Sequence, residues 1–218
     1  LSQSDRIKIA KRVAKELIEG EIVNLGVGIP TLIPDYLGSK KVYLQSENGL
    51  LGMGPSPADE DMDMDLISAS KKPITMDIGA SLFDSSDSFR MIRGGHIDTA
   101  VLGALQVDET GEVANWTVPG QTILGVGGAM DLVAGAKRII IASMHLSKDG
   151  SPKLVKKLTF PSSGARKVDM IVTEHAVFKF IAGEMYLAEI LSDVSVETLR
   201  MVTDAHFSLL EKPKIKAN

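Results

Sequence analysis

Apolar positions along the chain follow two periods. In residues 4–17, Ile7, Ala10, Val13, Ala14 and Leu17 gather near one helical face, with Lys and Glu opposite. Ser4 is the expected N-cap and Gly20 the expected stop. Residues 21–25 and 41–46 read as short strands. Between them lie the turn Gly26-Val27-Gly28-Ile29-Pro30 and a short helix over 31–37, with Pro34 in its first turn. An acidic loop at 57–65 precedes a strand at 73–78 and a helix at 85–93, ahead of Gly94 and Gly95. The apolar run 99–107 predicts a strand, residues 108–111 a turn, and 113–118 another strand. Gly125-Val126-Gly127-Gly128 leads into a helix over 129–137, and the β-branched run 138–144 predicts a buried strand. Short extended pieces follow at 156–160, 169–172 and 176–181, then a helix at 195–203. Strands alternating with helices predict an α/β fold with a mostly parallel sheet. The tail 212–218 is expected to fray.

Composition narrows the function classes. A net charge of −4 with no basic tract argues against nucleic acid as a partner. With no cysteine, the chain has no disulfide, thiol nucleophile or Cys-based zinc site. No apolar run reaches about 18 residues, so no membrane helix is expected. Residues 1–5 lack an apolar signal core, so the expected location is cytoplasmic. Aromatic residues make up 5% of the chain and glycines number 20, which favours sites built from backbone groups.

The strongest candidate for chemistry is Glu47, in Gln45-Ser46-Glu47-Asn48-Gly49, directly after an apolar strand. In open α/β sheets, ligands bind beyond the carboxyl ends of strands, and glutamate is depleted within strands. A surface glutamate at a strand end is the plain alternative. The turns holding Gly26 and Gly28, and Gly125, Gly127 and Gly128, could bring backbone N–H groups close to a phosphate or an oxyanion. Ordinary βα turns are the alternative there. Glu47 stands 21 residues after Gly26, as in a dinucleotide-binding fingerprint, but Thr31 and Met130 occupy the places of the third glycine. His96, His145, His175 and His206 show no metal-ligand spacing and are expected to be structural, so no metal is assigned. Asp59, Glu60, Asp61, Asp63 and Asp65 lack the pattern of a calcium loop.

Several motifs together resemble the family I coenzyme A transferases. They are residues 24–30 (Asn-Leu-Gly-Val-Gly-Ile-Pro), 45–49 (Gln-Ser-Glu-Asn-Gly), 93–98 (Arg-Gly-Gly-His-Ile-Asp), 114–116 (Ala-Asn-Trp) and 125–131 (Gly-Val-Gly-Gly-Ala-Met-Asp). The likeness runs from about Ile9 to Phe207 and is to the β (B) subunit of 3-oxoacid CoA-transferases. Residues 103–109 lean toward the bacterial acetoacetate group. The resemblance implies one three-layer α/β/α domain over residues 1–211. It implies that Glu47 is the nucleophile, passing through an acyl-glutamyl anhydride to a glutamyl-CoA thioester, and that the Gly128 N–H stabilises the oxyanion. Asn24 and Lys71 fall on CoA-contacting positions, and Gly26, Gly28 and Gly127 are assigned to the substrate and CoA site. Ser70 stands where relatives have glycine, a departure beside Lys71. Coenzyme A is then a substrate and no cofactor is permanently bound. The implied partner is an α (A) subunit in an α2β2 assembly, and the chain alone is expected to be inactive. The acyl donors implied are acetyl-, butyryl- or succinyl-CoA, with acetoacetate as acceptor. Rival functions are an acyl-CoA hydrolase on the same scaffold and a non-enzymatic sugar-phosphate or nucleotide binder.

Overall fold

The computed structural model describes residues 2–120 and 125–215. Helix α1 (Gln3–Ala14) is capped by Ser2, whose Oγ accepts from the Ser4 N–H at 3.2 Å. The expected cap, Ser4, therefore lies inside the helix. Strand β1 (Ile22–Leu25) follows, then a 3-10 helix over Ile29–Tyr36. Pro30 and Pro34 each remove an amide from that segment, which is why it tightens instead of forming an α-helix. Strands β2 (Tyr43–Ser46), β3 (Leu50–Met53) and β4 (Met76–Leu82) come next. Helix α2 (Ser85–Arg93) is capped by the Asp84 carboxylate, which accepts from the Asp87 N–H at 2.9 Å.

The expected strand at 99–107 divides into β5 (Thr99–Leu102) and β6 (Gln106–Asp108), broken at Gly103. A short β7 (Val113–Ala114), helix α3 (Ala129–Gly135) and strand β8 (Arg138–Ala142) follow. Residues 156–160 are not a strand; the pairing falls just before them, in β9 (Leu154–Val155). Strands β10 (Met170–Val172), β11 (Ala176–Ile181) and β12 (Glu184–Ile190) lead to helix α4 (Val196–Val202), capped by Ser195, and to β13 (Ser208–Ile215). β13 pairs with β12 through Ile215, so residues 212–215 continue the strand. Residues 216–218 lie outside the described residues.

The main sheet has the order β13-β12-β11-β10-β8-β5-β1-β2-β3-β4. Its central strands β10, β8, β5, β1 and β2 run parallel; antiparallel pairings add β3 and β4 on one side and β11 and β12 on the other, where β13 closes the edge parallel to β12. β8 shows why its sequence is apolar throughout. Ile139 and Ile141 enter a core shared with α2, α3 and α4, while Ile140 and Ala142 enter a core shared with α1. Both faces of the sheet are covered, so alternation gives way to a continuous apolar run. The parallel arrangement also brings the carboxyl ends of β5, β1 and β2 together at one edge, where the chain continues into Gly103, Gly26 and Glu47.

His145 is a fully buried core histidine. Its ring nitrogens meet the hydroxyls of Thr173 at 3.1 Å and Thr203 at 2.9 Å. Burial, reinforced by nearby His175, lowers its pKa from 6.5 to about 4. Between those values the unfolded chain takes up a proton that the folded chain refuses, so stability falls on acidification. The loss is expected to reach about 3 kcal/mol once the pH is below 4. Urea unfolding at pH 7 and pH 4 should show a shallower pH dependence for His145→Gln than for the native chain.

Candidate active site

The Ser46-Glu47-Asn48-Gly49 turn is held on every side except at Glu47. Ser46 Oγ accepts from the Ala69 N–H at 2.9 Å, and Asn48 Nδ2 donates to the Ile67 carbonyl at 2.8 Å. Gly49 has φ +122°, and its carbonyl accepts from the Phe83 N–H at 3.0 Å. A Cβ at Gly49 would run into the Phe83 backbone, with the carbonyl carbon 3.1 Å away. Only glycine meets both demands. The three neighbours of Glu47 are thus spent on fixing the turn, and its carboxylate is left to face a cavity.

That cavity is ≈ 380 Å³ and is lined by Gly26, Val27, Glu47, Leu102, Gly103, Ala104, Leu105, Asn115, Val126, Gly127, Gly128, Ala129 and Leu132. Four residues singled out from the sequence, Gly26, Glu47, Gly127 and Gly128, meet here from three separate stretches of chain. Gly127 has φ +54° and turns the chain into Gly128, which caps α3. The Glu47 carboxylate lies against Gly128 so closely that a Cβ there would stand 2.7 Å from Glu47 Cδ.

Burial raises the Glu47 carboxyl above the ordinary glutamate pKa. The nearby Gly128 backbone amide acts in the opposite direction, and the negative charge of Asp131 adds to the rise. Asp131 is itself paired with Arg93 at 3.1 Å. The result is a partly desolvated carboxylate beside a backbone donor, an arrangement suited to attack on a carbonyl carbon and to holding the oxyanion that forms.

The other sequence candidates lie outside this cavity. Asn24 is 2% exposed, and its Nδ2 donates to Gln45 Oε1 at 2.5 Å and to the Gln45 carbonyl at 3.3 Å. Gln45 Nε2 in turn donates to Ser88 Oγ on α2 at 2.6 Å. In this structure Asn24 therefore braces the strand that carries Glu47. Gly28, with φ +95°, starts the 3-10 helix, and its carbonyl accepts from Thr31 Oγ1 at 2.8 Å. Lys71 is exposed, with φ +59°, at the tip of a turn whose Ile67 and Ala69 hold Asn48 and Ser46. Asp59, Glu60 and Asp61 form an exposed 3-10 turn, and no cluster of three potential metal ligands stands together among the described residues.

Sequence reasoning gives no role to Asn115, the one polar side chain besides Glu47 that lines the cavity among the described residues. Its only signal is the Ala-Asn-Trp triplet at 114–116.

The family model for coenzyme A transferase matches residues 6–200. The β subunit of acetate CoA-transferase from Escherichia coli K12 is 49% identical over 93% of this chain and 93% of its own. The B subunit of the probable succinyl-CoA:3-ketoacid coenzyme A transferase of Bacillus subtilis is 47% identical over 94% and 95%. The B subunit of 3-oxoadipate CoA-transferase from Pseudomonas putida is 46% identical over 91% and 93%.

Among solved structures, the apoenzyme of an acyl-CoA transferase from E. coli O157:H7 superimposes with a TM-score of 0.79 at 22% identity, over 100% of this chain. This chain spans 44% of that longer one. Glutaconate coenzyme A-transferase from Acidaminococcus fermentans gives a TM-score of 0.68 at 17% identity, over 96% of this chain and 90% of its own. These structures share the α/β fold. With the family model spanning most of the sequence and B subunits nearly half identical along almost its whole length, this chain belongs to the family I coenzyme A transferases as a B subunit.

Proposed function

We propose that this chain is the glutamate-bearing β subunit of a transferase that moves CoA between a short-chain acyl-CoA and a 3-oxoacid such as acetoacetate. The observation that carries the reading is the Glu47 carboxylate facing the cavity against Gly128. A Glu47 oxygen attacks the thioester carbon and the CoA thiolate leaves, giving an acyl-glutamyl anhydride. The thiolate then attacks the glutamyl carbonyl, the carboxylic acid departs, and a glutamyl-CoA thioester remains. A second acid reverses these steps. Each addition forms a tetrahedral oxyanion for the Gly128 N–H to meet, and the covalent route divides one difficult exchange into easier ones. Coenzyme A enters and leaves as a substrate, with no resident cofactor, and the reading places the enzyme in the cytoplasm. No helix among the described residues is long and apolar enough to cross a membrane.

Support for an α subunit comes from the relatives, which are named as subunits, and from the site's rim. Val27 is 71% exposed and Val126 39% exposed at the cavity, leaving apolar surface beside a group that must be kept from water. An α2β2 assembly would cover it. Lys71, on the turn tied to Ser46 and Asn48, is read as a contact for CoA, whose phosphates gain nothing from a net charge of −4.

The test is to assay the chain alone and together with its α subunit, supplying acetoacetate with succinyl-, acetyl- or butyryl-CoA. Acetoacetyl-CoA should form only in the complex. Turnover at full rate by the isolated chain would overturn the need for a partner. Release of free acid without transfer to an acceptor would identify a hydrolase instead.

A further inference from the structure

We propose that Asn115 is a specificity-determining residue whose side-chain amide donates to the 3-oxo oxygen of the acid held against Glu47. This rests on the transferase reading above and names a determinant of its substrate class. Among the described residues, the cavity is lined by glycines and apolar side chains, with Glu47 and Asn115 as the polar side chains. Asn115 is held in one orientation. Ser163 Oγ, itself fully buried, accepts from the Asn115 backbone N–H at 3.0 Å and donates to Asn115 Oδ1 at 2.7 Å. The oxygen end of the amide is therefore spent on Ser163, and Nδ2 keeps two N–H donors with no partner among the described residues.

A polar donor fixed in an apolar cavity selects for a ligand with an acceptor at the matching place, because a ligand without one leaves the donor unpaired. An acid whose carboxyl carbon is at Glu47 brings its next functional group two carbons further on. The chemistry favours a neutral ketone there over a second carboxylate. Among the described residues that line it, this chain supplies no Lys or Arg to neutralise another anion beside Glu47.

Acetoacetate and butyrate make a matched pair, since they differ only in the oxygen at C3. The experiment compares kcat/KM for the two acids in the complex with its α subunit, for the native chain, Asn115→Ala and Asn115→Asp. The aspartate keeps the shape and the Ser163 contact but replaces donors with acceptors. The ratio of the two kcat/KM values within each variant does not depend on the fraction folded. The ratio in favour of acetoacetate is expected to fall about 10- to 100-fold in both variants. An unchanged ratio, whether both rates fall together or neither moves, would overturn the proposal.

A parallel incubation of native complex with butyryl-CoA separates this failure from failure of the underlying reading. A CoA adduct on Glu47 with an unchanged ratio removes only the role of Asn115. The absence of any adduct removes the transferase reading itself.

Discussion

Glu47→Gln is expected to abolish CoA transfer and, at neutral pH, to raise the melting temperature. The two effects share one cause. Burial holds the Glu47 carboxyl above its ordinary pKa, so the folded chain is destabilised by keeping it charged. Its ionisation costs nothing below the pKa of the unfolded chain. The penalty grows as pH rises from there and is complete above the folded pKa. The neutral isostere avoids it, so the gain in melting temperature should be present at neutral pH and vanish at a pH below the ordinary glutamate range. Activity should fall by at least about 10⁴-fold, as when a nucleophile is removed. The native kcat/KM should also decline on the acid side through a pKa above that of free glutamate, because only the carboxylate attacks. A Glu47→Gln complex with native turnover, or one melting lower than native at neutral pH, would contradict this.

Gly128→Ala is expected to cost about 10²–10³ in kcat, the usual loss when an oxyanion donor is displaced. The added methyl would stand 2.7 Å from Glu47 Cδ, so the carboxylate and the Gly128 backbone have to separate. The fold should survive, since the atoms crowded are those of one mobile-ended side chain. Gly127→Ala is the informative control. It has φ +54° but nothing within 4 Å of a new Cβ, so it should lose about 1 kcal/mol of stability and far less kcat. Steady-state kinetics with thermal melts on both variants would show whether contact with Glu47 or backbone strain governs the loss. Equal kcat losses would point to strain and away from the Gly128 contact.

The parts of this molecule legible in the sequence are those whose signal is local. Helix α2 is legible to both its ends because Asp84 and Gly94 bound an amphipathic segment. Strand β11 is equally plain in Ala-Val-Phe-Lys-Phe-Ile. Strand β3 is hidden because Leu-Leu-Gly-Met looks like part of a glycine-rich loop. Gly52, with φ +89°, stays in the strand because Ala80 of β4 packs where its Cβ would be. Strand β12 carries Glu184, Leu187, Ala188 and Glu189, residues at ease in helices, and becomes a strand through its pairing with β11 and β13. The site divides the same way. Glu47 and the glycines are visible because a charge or a left-handed turn at a strand end is unusual. The inward turn of Asn24 toward Gln45, and the anchoring of Asn115 by Ser163 across 48 residues of sequence, depend on tertiary contacts that no local pattern carries.

Covalent capture tests the central claim most directly. The complex is incubated with acyl-CoA and no acceptor acid, and the mass of this chain is then measured intact and after digestion. A CoA-sized addition on the peptide containing Glu47, absent in Glu47→Gln and discharged by adding acetoacetate, is the predicted result. A chain that turns over substrate with no such adduct, or that carries it at another residue, would contradict the account.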